Sequence, residues 1–196
     1  MTKIRKGEYG YISYARKVAI IRTLIYFALC AAVFIIGYVT TGTRRNLLTI
    51  VAVLGCLPAS KSLVNTIMFI RAKGCEEDVH TQIENAVSES GDMSSRLKTA
   101  YDLYMTSYNK NYPVSHICVS GNMVTGLIPG ADNDTAGGCE KHIDERLKQE
   151  GISGLTIKIF NDTSKYASRL EKLVELDAGS GPDPERVLDT LKAVSL

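Results

Sequence analysis

An uncharged apolar run of sixteen residues, from Leu24 to Val39, constrains this chain more than any other feature. Extended back to Val18, the run is interrupted only by Arg22 and Thr23. A membrane-spanning helix needs about 20 apolar residues, so the extended run is long enough to cross a bilayer. Arg22 lies near its end, where a long side chain can reach the membrane interface. The run therefore predicts a transmembrane helix.

A second apolar run, from Leu47 to Ile70, is interrupted by Pro58 and Lys61. Proline removes one backbone hydrogen bond from a helix, so we expect a kink at Pro58. Lys61 and Asn65 are one turn apart and share a helix face, which predicts a polar site inside the membrane. They either line a polar path between assembled copies or serve interhelical hydrogen bonding and contact with the interface. Residues 1–73 are thus interpreted as a basic N-terminus and a transmembrane helical hairpin, with spans at about 18–40 and 47–70.

The charges differ between the two parts of the sequence. Residues 1–73 contain 11 of the 23 basic residues and one of the 21 acids, Glu8, which leaves 12 basic and 20 acidic residues for 74–196. Cytoplasmic flanks of membrane helices are enriched in Lys and Arg, so we expect both termini in the cytoplasm. The acidic second part is repelled by phosphate backbones, and we therefore expect no nucleic-acid partner.

The connection between the two runs and the start of the second carry a resemblance. Two stretches resemble an uncharacterised family of small bacterial membrane proteins: Gly37-Tyr38 through Thr41-Gly42-Thr43, and NLLTIVAVLGCLPASK at 46–61. Such sequences are sometimes labelled O-linked N-acetylglucosamine transferase-like. Those enzymes contain helical repeats of about 34 residues, and this sequence has no such period. The resemblance implies a bacterial inner (cytoplasmic) membrane location. It supplies no information about activity.

Residues 74–196 predict a small soluble domain of α/β or α+β class. Hydrophobic periodicity gives the order α-β-β-β-α-β-α-α, with helices at 76–89, 136–150, 163–176 and 184–194 and strands at 101–107, 114–120, 122–128 and 154–160. The first six elements are restriction-endonuclease-like in element order only. Those nucleases need metal-binding acids on the second and third strands, and those strands offer none here.

Two groups of residues could carry chemistry in this domain. His116 and Cys118 alternate on a strand, and Cys139 and His142 share a helix face, so a helix packed on that strand would bring four zinc ligands together. The competing interpretation is that both thiols are ordinary core residues. Asp132 and Asp134 lie in a Gly-rich loop and could bind a divalent cation or a nucleotide-sugar phosphate, or could be ordinary loop residues and helix caps.

Three functions remain open from the sequence. The first is a membrane-anchored, non-enzymatic protein that forms homo-oligomers and binds a cytoplasmic protein or a small ligand. The second is a small oligomeric channel or transport component with Lys61 on the pore-lining helix. The third is a membrane-tethered metal-dependent enzyme that uses the zinc set. The five cysteines have scattered spacing, which argues against a disulfide framework and fits a reducing compartment.

Overall fold

The computed structural model describes residues 3–43, 46–88, 97–108, 110–175 and 181–196. The chain forms two compact units. One is the segment Ile12–Ala72, here called the hairpin unit. The other combines the residues up to Tyr11 with Lys73–Leu196 and is here called the domain. The sequence groups residues 3–11 with the hairpin, whereas in the structure they pack with the domain.

The hairpin unit consists of two long helices, α1 at Tyr11–Thr41 and α2 at Leu47–Arg71. Both are long and apolar enough to cross a membrane. Asn46 begins α2 as its N-cap, because its side-chain oxygen accepts a hydrogen bond from the Thr49 N–H at 2.8 Å. Pro58 lies inside α2, which continues past it.

Within its described residues, the domain contains four more helices and a four-stranded sheet in the predicted order, so the predicted fold class is confirmed as α+β with a mixed sheet. The elements are α3 Glu77–Ser88, β1 Lys98–Thr106, β2 Asn111–Ser120, β3 Met123–Leu127, α4 Asn133–Gln149, β4 Thr156–Phe160, α5 Thr163–Glu175 and α6 Pro184–Val194. The order across the sheet is β1-β2-β3-β4.

Helices cover both faces of the sheet. Strands β1, β2 and β3 pair antiparallel, and β3 pairs parallel with β4 because α4 carries the chain back across the sheet. One core, here the α4/α6 core, includes Ile117, Cys139 and Leu191. The other, here the α3/α5 core, includes Ile83 and Leu170. The apolar residues of the sheet therefore contribute to two separate cores, one on each face.

Strand β1 changes its facing at Asp102. Asp102 is buried and has a φ of 56°, in the left-handed region that few side chains other than glycine adopt. Ala100 and Leu103 both lie in the α4/α6 core, although strict alternation would put them on opposite faces. The Asp102 carboxylate accepts a 2.6 Å hydrogen bond from the Cys75 N–H, which ties the segment before α3 to the sheet.

Residues 3–11 form part of this domain. The Tyr101 N–H donates to the Gly7 carbonyl at 2.8 Å, and the Lys6 ammonium donates to the Ser195 carbonyl at 2.5 Å. Gly7 has a φ of 92°, and a Cβ there would lie 2.8 Å from the Lys192 side chain. The N-terminal segment thus packs closely against β1 and the end of α6.

Candidate functional site

The predicted polar site in the second apolar run forms part of a groove between the two helices of the hairpin unit. Lys61 and Asn65 line a cavity of about 330 Å³. The other lining residues, which the sequence did not group with them, are Arg22, Tyr26, Pro58 and Ser62. Arg22, Tyr26 and Lys61 are exposed at the surface of the unit. This surface, with its two cations, is called the cationic groove below.

Buried hydroxyls hold the two helices together next to this groove. The Thr23 hydroxyl lies 2.7 Å from the Ser62 hydroxyl and 2.8 Å from the Thr66 hydroxyl, and all three side chains are buried. Thr66 also donates to the Ser62 carbonyl at 3.0 Å. Hydrogen bonds of this kind join helices where lipid offers no hydrophobic driving force for their association.

Arg16 fixes the open end of the hairpin unit. Its guanidinium donates to the Phe69 carbonyl at 3.0 Å and to the Ala72 carbonyl at 2.8 Å. These are terminal carbonyls of α2, which have no partner within the helix and carry partial negative charge. Arg16 therefore lies at the same height along the hairpin as residues 69–72, which form the C-terminal end and cap of α2.

The four predicted zinc ligands do not form a common site, and that prediction is corrected here. Cys118 belongs to the α3/α5 core, and His116, two positions before it, contacts Tyr166 of α5. Cys139 lies in the α4/α6 core on the other side of the sheet. His142 packs against Tyr112, with ring centroids 5.8 Å apart. Within the described ranges, no three His, Cys, Asp or Glu side chains are placed to hold a metal ion.

His116 is instead a buried, neutral side chain with an unusual environment. Its Nδ1 lies 2.7 Å from the Tyr166 hydroxyl, which lies 3.5 Å from the Thr125 carbonyl. Its Nε2 is buried and has no hydrogen-bond partner among the residues that the structure describes. Burial, and secondarily the nearby His80, lowers the pKa of His116 to about 3. A proton on Nδ1 suits this geometry, since Nδ1 then donates to Tyr166, whose hydroxyl donates to Thr125.

A series of ring contacts, here called the stack although only its last pair is close to parallel, leads from this histidine to the N-terminal segment. Tyr101 lies 4.4 Å from His116 between ring centroids, and His80 lies 4.9 Å from Tyr101. Tyr9 stacks on His80 at 3.8 Å. The rings come from residues 3–11, α3, β1 and β2, so no local sequence pattern signals the stack. The stack buries aromatic surface between residues 3–11 and the rest of the domain.

The two loop aspartates serve α4. Asp132 is the N-cap of α4: it accepts a 3.0 Å hydrogen bond from the Thr135 N–H and another from the Thr135 hydroxyl. The hydrogen bond from the Thr135 hydroxyl is the main cause of a lowered pKa for Asp132. Asp134 lies in the first turn of α4, where a negative charge is favoured. The helix-cap interpretation therefore accounts for Asp132 without a cation.

Two crevices run along α4 and the edge strand β4. The larger, of about 380 Å³, is lined by Glu140, Lys141, Asp144, Lys148, Leu155 and Ile157. The smaller, of about 220 Å³, is lined by Asn133, Ala136, Gly137, Glu140, Lys158, Ile159, Phe160 and Asn161. Glu140 lines both: its carboxylate accepts from the Ile159 N–H at 2.9 Å and lies 3.1 Å from the Lys158 ammonium. Sequence reasoning missed these residues because only the βαβ packing brings them together.

Comparison of the chain with protein-family models, with curated proteins and with solved structures found no match. The geometry of the two units therefore carries the functional argument.

Proposed function

We propose that this protein is a membrane-anchored interaction or ligand-sensing protein of the bacterial inner membrane. The hairpin unit spans the bilayer, and the domain lies on the cytoplasmic side, where it binds a protein or a small ligand. The observation that carries this proposal is the exposed apolar surface of the hairpin unit, which a lipid environment would stabilise.

The exposed side chains of α1 and α2 support membrane insertion. Leu24 is 64% exposed, Val39 75% and Leu47 77%. Only 11% of the most apolar window of α1 is buried, and 17% of that of α2. The core helices of a soluble protein bury such windows, because each exposed large apolar side chain costs roughly 1.5–3 kcal/mol relative to burial.

Basic residues and the N-terminal segment support the orientation. Arg16 and Lys17 lie near the start of α1, and Arg71 and Lys73 lie at the end of α2. Such residues favour the cytoplasmic side. Residues 3–11 pack into the same domain as 73–196, so the parts of the chain flanking both helices belong on one side of a membrane. Arg44 and Arg45, which carry the remaining loop charge, lie outside the described residues.

Binding rather than turnover is supported by the burial of three of the four residues predicted as zinc ligands. His116, Cys118 and Cys139 are all buried, so a substrate has no access to them. The two crevices along α4 and β4 are open instead, and one of them lies at the carboxyl end of a parallel strand. Ligands of α/β units bind at such ends. We propose these crevices as the ligand or partner site of the domain.

The anchoring is tested by fractionation and reporter fusions of the full-length chain in bacterial cells. The protein should stay in the membrane after washing with alkaline carbonate. A fluorescent protein fused after Leu196 should fluoresce, and alkaline phosphatase inserted after Thr43 should be active. Phosphatase fused after Leu196 is the matched control and should be inactive. Release by carbonate, or the reverse phosphatase pattern, would show that the proposed anchoring is wrong.

The binding role is tested with Gly137→Trp and Glu145→Trp. Gly137 lines the smaller crevice, and a Cβ there meets no atom within 4 Å, so tryptophan fills the crevice without a backbone clash. Glu145 is exposed on the same helix and lines neither crevice. A panel of nucleotides, sugar phosphates and amino acids is screened by thermal shift on the wild-type protein. A true ligand should stabilise wild type and Glu145→Trp but not Gly137→Trp; equal stabilisation of all three would exclude the crevice.

A channel remains the second candidate function, and the cationic groove is the observation that favours it. Several copies arranged with this groove inward would surround a path lined by Lys61. Conductance in reconstituted bilayers that changes with Lys61→Met would support the channel, and silent bilayers containing folded protein would count against it.

A further inference from the structure

We propose that the cationic groove binds the phosphate of an anionic phospholipid of the cytoplasmic leaflet. This inference rests on the proposed membrane anchoring. It concerns a single copy of the chain, whose groove opens to lipid.

The first argument is charge. Arg22 and Lys61 line one cavity, and the sequence contains no Asp or Glu between Tyr9 and Cys75. Two cations in a medium of low dielectric repel each other and lack the hydration that they have in water. An anion between them offsets both effects. A second copy of the chain cannot supply that anion from its own hairpin unit, because it has the same composition.

The second argument is depth. Arg16 lies level with residues 69–72, at the end of the unit that also carries Tyr14, Lys17 and Arg71. Tyrosine and basic side chains favour the interface between membrane and water. At a rise of about 1.5 Å per residue, Arg22 lies about 9 Å further in than Arg16, and Lys61 about 12 Å further in than Phe69. Half of the hydrocarbon core is about 15 Å, so the backbone of both residues lies within the cytoplasmic leaflet, and their long side chains extend back towards the headgroup level where the lipid phosphate lies.

The third argument is the donor set. The Arg22 guanidinium offers a planar fork that fits phosphate oxygens, and Lys61 adds a second positive charge. The Tyr26 hydroxyl and the Asn65 amide add neutral donors at the same cavity. The Ser62 hydroxyl is already hydrogen-bonded to the Thr23 hydroxyl, so Ser62 lines the cavity without contributing a donor. A cavity of about 330 Å³ accommodates a headgroup phosphate.

Position also favours a lipid over a dissolved ion. Arg22, Tyr26 and Lys61 are exposed on the outside of the hairpin unit, among exposed apolar side chains such as Ile25 and Leu57. A lipid fills the groove with its phosphate and covers the surrounding side chains with its acyl chains. A dissolved phosphate ion would have to leave water for the same place without covering any apolar surface.

The test compares phosphatidylglycerol with phosphatidylcholine as ligands of the full-length protein, by native mass spectrometry from detergent micelles. Arg22→Met and Lys61→Met are combined in one variant. Methionine makes the helices more apolar, so insertion should be kept. Arg71→Met is the matched control, since Arg71 is a basic residue of α2 that does not line the groove.

Wild type and Arg71→Met should prefer phosphatidylglycerol, and the double variant should lose about tenfold or more of its affinity for that lipid, because two charge-assisted contacts disappear. Excess inorganic phosphate should leave the bound lipid in place. The proposal is overturned if wild type shows no preference, if the double variant keeps it, or if phosphate displaces the lipid.

Failure of this inference is distinguishable from failure of the anchoring. Carbonate washing of the same wild-type and double-variant membranes reports anchoring alone. Protein that resists carbonate but shows no lipid preference contradicts only the lipid site. Protein that carbonate releases contradicts the anchoring, and with it the lipid site.

Discussion

The hairpin unit and the domain bury opposite kinds of side chain. In the hairpin unit, the buried side chains include the hydroxyls of Thr23, Ser62 and Thr66 and small residues of both helices, while large apolar side chains such as Leu24 and Leu47 are exposed. In the domain, leucine and isoleucine fill two layers on either side of a sheet, and most charged residues lie outside, with the buried Asp102 as an exception. The two units of the chain therefore differ in the kind of side chain that they bury.

The difference teaches which solvent each unit is built for. Water drives apolar side chains together, so the domain gains from its two cores. Lipid gives no such drive, and helices in it associate through close packing of small residues and through hydrogen bonds. Ala59 and Ala52 are buried in the hairpin unit, where they allow α1 and α2 to approach closely.

The largest effect is expected when a leucine is replaced by alanine in each of the two units. Leu170→Ala removes a side chain that is 0% exposed in the domain, and we expect it to lower the free energy of unfolding by about 2–5 kcal/mol. Leu57→Ala changes a side chain that is 69% exposed in the hairpin unit, and we expect a change within about 0.5 kcal/mol. Urea unfolding of the domain in micelles measures the loss in Leu170→Ala, and unfolding of the hairpin unit in mixed micelles of increasing dodecyl sulfate content measures the loss in Leu57→Ala; circular dichroism follows both. Equal losses would break the comparison.

The second test concerns His116, a titratable side chain that the domain buries. Its pKa is about 3 in the folded protein and 6.5 in the unfolded reference, so only the unfolded chain gains this proton between these values. The contribution of neutral His116 is complete above pH 6.5 and is lost as the pH falls towards 3, with a slope of at most about 1.4 kcal/mol per pH unit.

We expect His116→Gln to flatten this dependence, measured by urea unfolding of the domain at a series of pH values between 4 and 7. His80→Gln is the matched control, because His80 contributes only a secondary effect to the pKa of His116. An unchanged slope in His116→Gln would show that another group dominates the acid sensitivity.

The third test acts on the polar contact of the hairpin unit. Thr23→Val removes the hydroxyl that joins Ser62 and Thr66, and we expect a loss of about 0.6–1.7 kcal/mol in the stability of the helix pair. Thr23→Ser keeps the hydroxyl and should retain most of the stability. Reversible unfolding in mixed micelles of increasing dodecyl sulfate content measures both variants. A stabilising Thr23→Val would mean that apolar packing dominates in this unit too.

The smallest expected effect is at the start of α4. Asp132→Ala removes the N-cap and should lower the midpoint of thermal unfolding of the domain slightly, whereas Asp134→Ala should lower it less. Added calcium should shift neither the wild-type protein nor the two variants. A calcium-dependent rise in the wild-type midpoint that Asp132→Ala abolishes would restore the cation interpretation.

Much of the fold follows from local patterns in the sequence. Long apolar runs predicted α1 and α2, and alternating or helical periodicity predicted all eight elements of the domain in order. The prediction of a first strand that begins at 101 missed residues 98–100. Asp102 explains this, since its left-handed backbone reverses the facing of β1 and hides the usual alternation from the sequence.

The candidate sites were only partly predictable. Spacing on one helix grouped Lys61 with Asn65, but Arg22 and Tyr26 join them only through the register of α1 against α2. The zinc prediction was wrong because spacing tells which residues share a face of one element and not which face of the sheet a helix covers. Cys139 and Cys118 lie on opposite sides of the same sheet. The crevices along β4 likewise depend on how α4 crosses over.

The contact between Lys6 and the Ser195 carbonyl has a consequence for the order of events during synthesis. These residues are 189 positions apart, and the hairpin unit lies between them in the chain. A ribosome releases residues 3–11 long before β1 and α6 exist to receive them. In the proposed topology, the early segment stays on the side of the membrane where the rest of the domain emerges. Because α1 and α2 are made before the domain can close, the proposed insertion of both helices would precede the completion of domain folding.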